Sequence, residues 1–233
     1  MERMLKLSLL VLSLVPVRGR ADQVDLAGAW SLQVDRQDQG EAEKWFERDL
    51  SDNIALPGVL TAQGYGDPPS MQTQWMGDIN PVWQRDPDYK QYQTPDNFKM
   101  PFWLQPERHY VGAAWYQRHI DIPETWKGKR VVLFLERPHW KTTVWVDRAQ
   151  IGSQDSLGTG HEYDLGTNLA AGRHRLTIRV DNRMIVDVGR NAHSVSDHTQ
   201  GNWNGIAGRM ELRTTETVRI EPFGGRAEVE VGF

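Results

Sequence analysis

Between residues 115 and 182 the chain repeats one pattern four times, and that repetition limits the folds open to it. The runs are Trp115-Tyr116-Gln117-Arg118-His119-Ile120-Asp121-Ile122, Val131-Val132-Leu133-Phe134-Leu135, Thr143-Val144-Trp145-Val146-Asp147 and Leu176-Thr177-Ile178-Arg179-Val180-Asp181-Asn182. Each is short, rich in Val, Ile, Thr and aromatics, and bounded by Gly, Pro, Asn or Asp, the composition of antiparallel strands. Leu176, Ile178 and Val180 alternate with Thr177 and Arg179, as a strand with one wet face should. Residues 131–135 show no polar alternation and fit a central strand covered on both sides. No helix-period pattern of comparable length interrupts the series. The residues point to an all-β fold, a β-sandwich.

The flanks extend this reading. Residues 24–35 read as a first strand with Trp30, Leu32 and Val34 facing inward, and 41–50 as a polar stretch with a single helical turn around Trp45 and Phe46. Residues 54–58 form a short edge-like strand stopped by Pro57-Gly58. From 64 to 108 the periodicity dissolves into seven prolines interspersed with Trp75, Trp83, Tyr89, Tyr92, Phe98, Phe102 and Trp103. A structureless loop of that length is uncommon, and its aromatics argue against disorder. It is expected to be an ordered, irregular insertion packed on the sandwich or on another domain. Residues 182–204 make a second long, polar excursion. The last strands are expected at 209–213 and 218–221, and another begins near Val229-Glu230-Val231.

The first residues carry Arg3 and Lys6, then an apolar run over 5–17, then Gly19-Arg20-Ala21. That order is a secretory signal peptide, expected to span 1–21, and the apolar run is shorter than the roughly 18–20 residues that cross a bilayer. Export to the periplasm or the extracellular space follows, with no membrane span. Losing those residues removes four basic groups and one acidic group, taking the formal charge from −4 to −7. An acidic chain without a Lys/Arg cluster is a poor partner for nucleic acid. There is no cysteine, so the core rather than disulfides must hold the fold. Ten tryptophans exceed what one core needs and suit a surface that binds flat, hydroxylated ligands.

Catalytic signatures are missing: no G-x-S-x-G elbow, no phosphate loop and no H-E-x-x-H occur. The seven histidines do not fall in metal spacing, and no cofactor motif is present. Asp181, Asn182, Asp187, Asp197 and Asn204 offer oxygen donors for a hard cation, but no regular loop motif joins them. Acidic residues such as Asp121, Asp147 and Glu211 are expected on strand edges or turns, and no carboxylate pair stands out as catalytic. The passage from Ser194 to Arg209 is more telling. Asp197, His198, Thr199, Asn202 and Asn204 supply directional bonds to hydroxyls, and Trp203 supplies a face for a sugar ring. The alternative is a capped loop whose Trp203 plugs the end of the sandwich.

Several segments resemble one family in order. Ala114-Trp115-Tyr116-Gln117-Arg118, Pro123-Glu124-Thr125-Trp126-Lys127-Gly128-Lys129-Arg130-Val131 and Val144-Trp145-Val146-Asp147 are followed by Ile151-Gly152, Tyr163-Asp164-Leu165 and the 176–182 strand. The series closes on Asn202-Trp203-Asn204-Gly205-Ile206-Ala207-Gly208-Arg209-Met210-Glu211-Leu212. Together these resemble the N-terminal sugar-binding domain of glycoside hydrolase family 2, the family of β-galactosidases, β-glucuronidases and β-mannosidases, over about residues 24–221. The resemblance implies a galactose-binding-domain-like jelly roll over 22–221, then an immunoglobulin-like domain and a (β/α)8 barrel that performs retaining hydrolysis with two glutamates.

One of those glutamates follows an asparagine in the family. No Asn-Glu pair occurs here, and a barrel needs about 200 residues or more. The resemblance therefore implies a β-glycoside-binding domain without catalytic residues of its own. Residues 222–233 would be a linker and the first strand of the missing second domain. Ranked behind this reading are a stand-alone carbohydrate-binding module, in which the same loops bind glycans without chemistry, and then a scaffold that docks another polypeptide through the 64–108 excursion. Two positions depart from the family pattern. Asp147 is followed by Arg148-Ala149 rather than by Gly, which predicts a longer or strained hairpin turn. Thr199 stands where some members place a sugar-contacting Asp.

Overall fold

The computed structural model describes residues 22–77, 82–100, 105–198 and 201–215. The proposed leader at 1–21 and the strands expected at 218–221 and 229–231 fall outside them, as do Phe102 and Trp103. The strands are β1 (Gln23–Asp25), β2 (Gly28–Asp35), β3 (Asp52–Leu56), β4 (Gly58–Val59), β5 (Gln93–Thr94), β6 (Asn97–Phe98) and β7 (Ala113–Ile122). They continue as β8 (Arg130–His139), β9 (Lys141–Val146), β10 (Ala149–Gln154), β11 (His161–Gly166), β12 (Gly172–Asp181) and β13 (Gly205–Thr215).

Two antiparallel sheets face one another. One runs β10-β9-β12-β7-β2-β3, and the other runs β1-β13-β8-β11 with β4 beside β13. The alternation in the sequence decides which side chains meet between them. Trp30, Leu32, Tyr116, Val144, Leu176, Ile178 and Val180 come from the first sheet, and Leu133, Leu135, Met210 and Leu212 from the second, in one buried cluster. β3 lies at the edge of its sheet, as the short Pro-stopped run predicts. β8 is an inner strand, and its Phe134, half-buried, lies under the guanidinium groups of Arg209 and Arg213.

Three local expectations change. The face of β12 read as wet is dry: Thr177 is fully buried and Arg179 nearly so. A second apolar layer made of Trp45, Leu50, Trp115 and Trp145, with Phe46 packed against it, covers that side of the sheet. Phe46 stacks on Trp145 at 5.2 Å, and Trp145 stacks on Trp115 at 5.0 Å. Arg179 is tolerated there because Asp38 and Asp181 accept from its guanidinium. The β9–β10 turn is not lengthened; Val146 pairs directly with Ala149 around Asp147-Arg148. Asp147 takes the positive φ of 54°, which Asp tolerates better than most side chains. Its carboxylate accepts from the Arg175 amide and from His174 Nδ1, fixing the turn to β12. Glu211 sits in the middle of β13 and is buried rather than at a turn.

The insertion at 64–108 is ordered and irregular where described. It contains a short helix α1 (Val82–Arg85), a 3-10 turn (Pro87–Tyr92) and the β5–β6 hairpin. Gln93 Nε2 donates to the carbonyls of Trp83 and Gln84, so the hairpin is tied to α1.

Candidate functional site

The two long loops, 64–112 and 183–204, meet at one end of the sandwich, and Asp197 is where they join. Its Oδ2 accepts from the Met76 amide at 2.7 Å and from His109 Nε2 at 2.9 Å. Its Oδ1 accepts from the Asn202 amide at 2.9 Å, and its own amide donates to the Met76 carbonyl at 2.6 Å. With a side chain only 2 % exposed, Asp197 spends its carboxylate inside the protein. Gly77 lets the 70–77 strap approach this closely. At φ 99° a Cβ there would lie 3.0 Å from the Arg190 carbonyl and from the Ser196 side chain.

Three asparagines complete the junction. Asn182 accepts from the Gly112 amide and donates to the Tyr110 carbonyl. Asn204, fully buried, donates to the Gly112 and Val180 carbonyls and accepts from the Tyr116 hydroxyl at 2.7 Å. Asn202 donates to the Asn182 carbonyl and accepts from His139 Nε2 at 3.0 Å. Because the Asn202 amide nitrogen is the donor in the first bond, its oxygen faces His139, and the imidazole must carry its proton on Nε2. Buried polar groups satisfied this completely hold the loops in one shape.

Trp203 lies over this junction, half-buried, with its ring 4.6 Å from that of His139 and nearly parallel to it. Burial pushes the His139 imidazole down to about 4, against the opposing hydrogen bond to Asn202. Trp203 therefore rests on a neutral ring throughout the physiological range. Burial also lowers His161, whose ring bonds Thr142 and the Ser156 carbonyl. The unfolded chain binds more protons than the native one between about pH 4 and the ordinary imidazole value of about 6.5. The domain is thus expected to lose stability as the pH falls through that window, and a His139→Gln variant should flatten part of the slope. Thermal melting from pH 7 to pH 4.5 measures it. An NMR titration placing His139 near 6.5 would contradict the argument.

The residues anticipated from sequence are brought to one place but divide into two groups. Asp197, Asn202 and Asn204 face inward and act as struts. His198 and Trp203 are the partly exposed members, and Thr199 lies outside the described residues. Sequence reading missed His109, Met76 and His139, which lie 88, 121 and 63 positions from their partners. Of the oxygen donors considered for a cation, Asn182, Asp197 and Asn204 accept from protein donors within the junction, Asp181 pairs with Arg179 and Arg183, and Asp187 accepts from the Gly189 amide. Among the described residues no group of three His, Cys, Asp or Glu is placed to hold a metal.

Comparison with known proteins bears on this geometry. A family model described as glycosyl hydrolases family 2, sugar binding domain, matches residues 82–215, which include Asp197, His109 and the three asparagines of the junction but not Met76 or Gly77. β-Glucuronidase from Paenibacillus borealis is 24% identical over 159 residues, covering 68% of this chain and 21% of that protein. Human β-glucuronidase is 24% identical over 170 residues, with 69% and 21% covered. The chain thus spans about a fifth of the length of these curated relatives. The solved structure of an uncultured Clostridium sp. β-glucuronidase has a TM-score of 0.57 at 21% identity, over 91% of this chain and 34% of that one. A Ruminococcus gnavus β-glucuronidase in complex with uronic isofagomine has the same score at 15% identity, over 90% and 32%. At these identities the structural likeness speaks for the fold: a family 2 jelly-roll sandwich. The match over more than half of the chain decides the family, and the chain belongs to the sugar binding domain family of the family 2 glycosyl hydrolases.

Proposed function

We propose that this chain is the N-terminal sugar-binding domain of an exported β-glycosidase, and that its Asp197 junction shapes one rim of a sugar site completed by further domains. The observation that carries this reading is the family match over 82–215, which takes in the loop from Asp197 to Asn204. The β-glucuronidases among the relatives favour a β-glucuronide or a similar β-glycoside as the whole protein's substrate. His198 and Trp203 would meet the sugar, the indole offering its face to the ring C–H groups, while Asp197, Asn202 and Asn204 hold them from behind. Ile185, Val186 and Val188 are exposed on the same loop. Consecutive exposed apolar side chains beside a binding rim support its being covered by another domain in the longer protein.

The purified 233-residue protein is expected to release no 4-nitrophenol from the β-D-glucuronide or the β-D-galactoside. Titration with methyl β-D-glucuronide should shift the Trp203 indole signal in a nitrogen-15 NMR spectrum. Turnover by the purified chain, unchanged by further purification, would overturn the reading. So would a Trp203 signal indifferent to glucuronide, galactoside and mannoside alike. A stand-alone carbohydrate-binding module would differ by binding an oligosaccharide tightly with no other domain present.

A further inference from the structure

Beside the Asp197 junction lies a second concavity that neither the family match nor the sequence analysis singles out. It has a volume of about 330 Å³ and sits between the 70–77 strap, α1, the β5–β6 hairpin and the second loop. Its walls include Trp75, Trp83 and Phe98, with Ser70, Gln84 and Arg190 among its polar groups. That volume is at the lower end of the range of about 300–1,000 Å³ typical of small-molecule sites.

The walls are held in place. Trp83 meets Phe98 edge to face at 6.2 Å, and Gln93 clamps the hairpin to the backbone of α1. Trp75 leans on the His109 ring at 4.7 Å, and His109 is bonded to Asp197. Trp83 is 7 % exposed, and its indole N–H has no acceptor among the described residues. A buried donor left unpaired costs free energy and needs an explanation.

The position of this cavity gives it meaning. The strap reaches both sites within three residues: Trp75 and Gly77 line the cavity, while Met76 between them exchanges backbone bonds with Asp197 and lies 3.4 Å from Asn202 Nδ2. The residue after Asn202 is Trp203. The cavity wall and the backbone that carries Trp203 are therefore tied through the same strap.

We propose that the Trp75–Trp83–Phe98 cavity is a second carbohydrate subsite, which takes the pyranose ring adjacent to the one at Trp203. This rests on the reading of Trp203 as a sugar contact and deepens it, because the ligand becomes a glycan of at least two rings rather than a single glycoside. Aromatic side chains cover the apolar face of a pyranose, and the Ser70 hydroxyl and Gln84 amide can meet its equatorial hydroxyls.

The test uses the whole chain with nitrogen-15-labelled tryptophan, titrated with cellobiose, lactose and methyl β-D-glucopyranoside. The disaccharides are expected to shift the Trp75 and Trp83 indole signals together with Trp203, and to bind about five- to tenfold tighter than the monosaccharide. Phe98→Ala and Gln84→Ala should each bring disaccharide affinity to the monosaccharide level while the Trp203 response persists. Neither residue belongs to the Asp197 junction, so both variants are expected to fold. If disaccharides move Trp203 alone, or bind both variants as tightly as the parent, the subsite is wrong and the proposed function stands. If no indole responds to any sugar, the subsite and the rim reading fail together.

Discussion

Replacing Asp197 by alanine is expected to release both long loops while the sandwich stays folded. The substitution removes the acceptor of His109, of the Met76 amide and of the Asn202 amide in one step, leaving three buried donors unpaired. Each buried donor left unpaired costs about 1–3 kcal/mol, and the three losses add. The loss is local, because the sheets bury their own core and loops open at free energies below that of global unfolding. Hydrogen exchange should therefore accelerate at Met76 and Asn202 with little change in β7, β8 or β12. Limited proteolysis should cut within 70–77 or 184–198 before it cuts the sandwich. Asp197→Asn should fall between, since an amide offers one acceptor oxygen where the carboxylate has two. The sugar binding proposed at Trp203 should weaken in proportion to the loosening. An Asp197→Ala protein whose loops remain as protected as the parent's would show that the junction is not what holds them.

Trp115→Ala is the second large effect, and it acts on the fold as a whole. Trp115 is completely buried at the centre of the outer apolar layer, against Trp45 and Trp145. Its indole N–H donates to Asp35 Oδ2 at 2.9 Å, the oxygen that also accepts from the Gly40 amide. Truncating a buried Trp to Ala costs about 3–5 kcal/mol in lost burial and cavity. For a domain of this size that corresponds to a fall of roughly 10 °C in melting temperature. Trp115→Phe keeps most of the apolar volume and loses the bond to Asp35, so it should cost less than half as much. Gly40 should be equally intolerant, because a Cβ there would lie 2.5 Å from the Trp115 indole nitrogen. A Trp115→Ala melting curve that overlays the parent's would mean that the segment around Trp45 does not seal this face.

How much of this was legible beforehand differs by position. The inward set Trp30, Leu32, Leu176, Ile178 and Val180 was readable because period-two alternation is a local property of the chain. The outer layer was not, since Thr177 and Arg179 look like residues of a wet face. They are dry only because a segment some 130 positions earlier folds over them. The same limit applies at the site. Asp197, Asn202, Trp203 and Asn204 could be singled out as a polar loop around one aromatic, but their composition could not tell struts from contacts. That distinction depends on His109, Met76, Asn182 and His139, none of them adjacent in sequence. The β9–β10 turn shows the opposite error. Asp147-Arg148 lacks the expected glycine, yet the turn closes in two residues because β12 supplies the bonds that hold Asp147.

The sequence by itself determined the fold class and the family, because alternation, turn residues and ordered motifs are written along the chain. The tertiary structure alone decided that the second face of the sheet is sealed, that Asp197 is a strut, and that Trp75, Trp83 and Phe98 line one cavity. Each of these depends on side chains brought together from distant segments, and hydrogen bonding and close packing act on distance in space rather than on position in the chain.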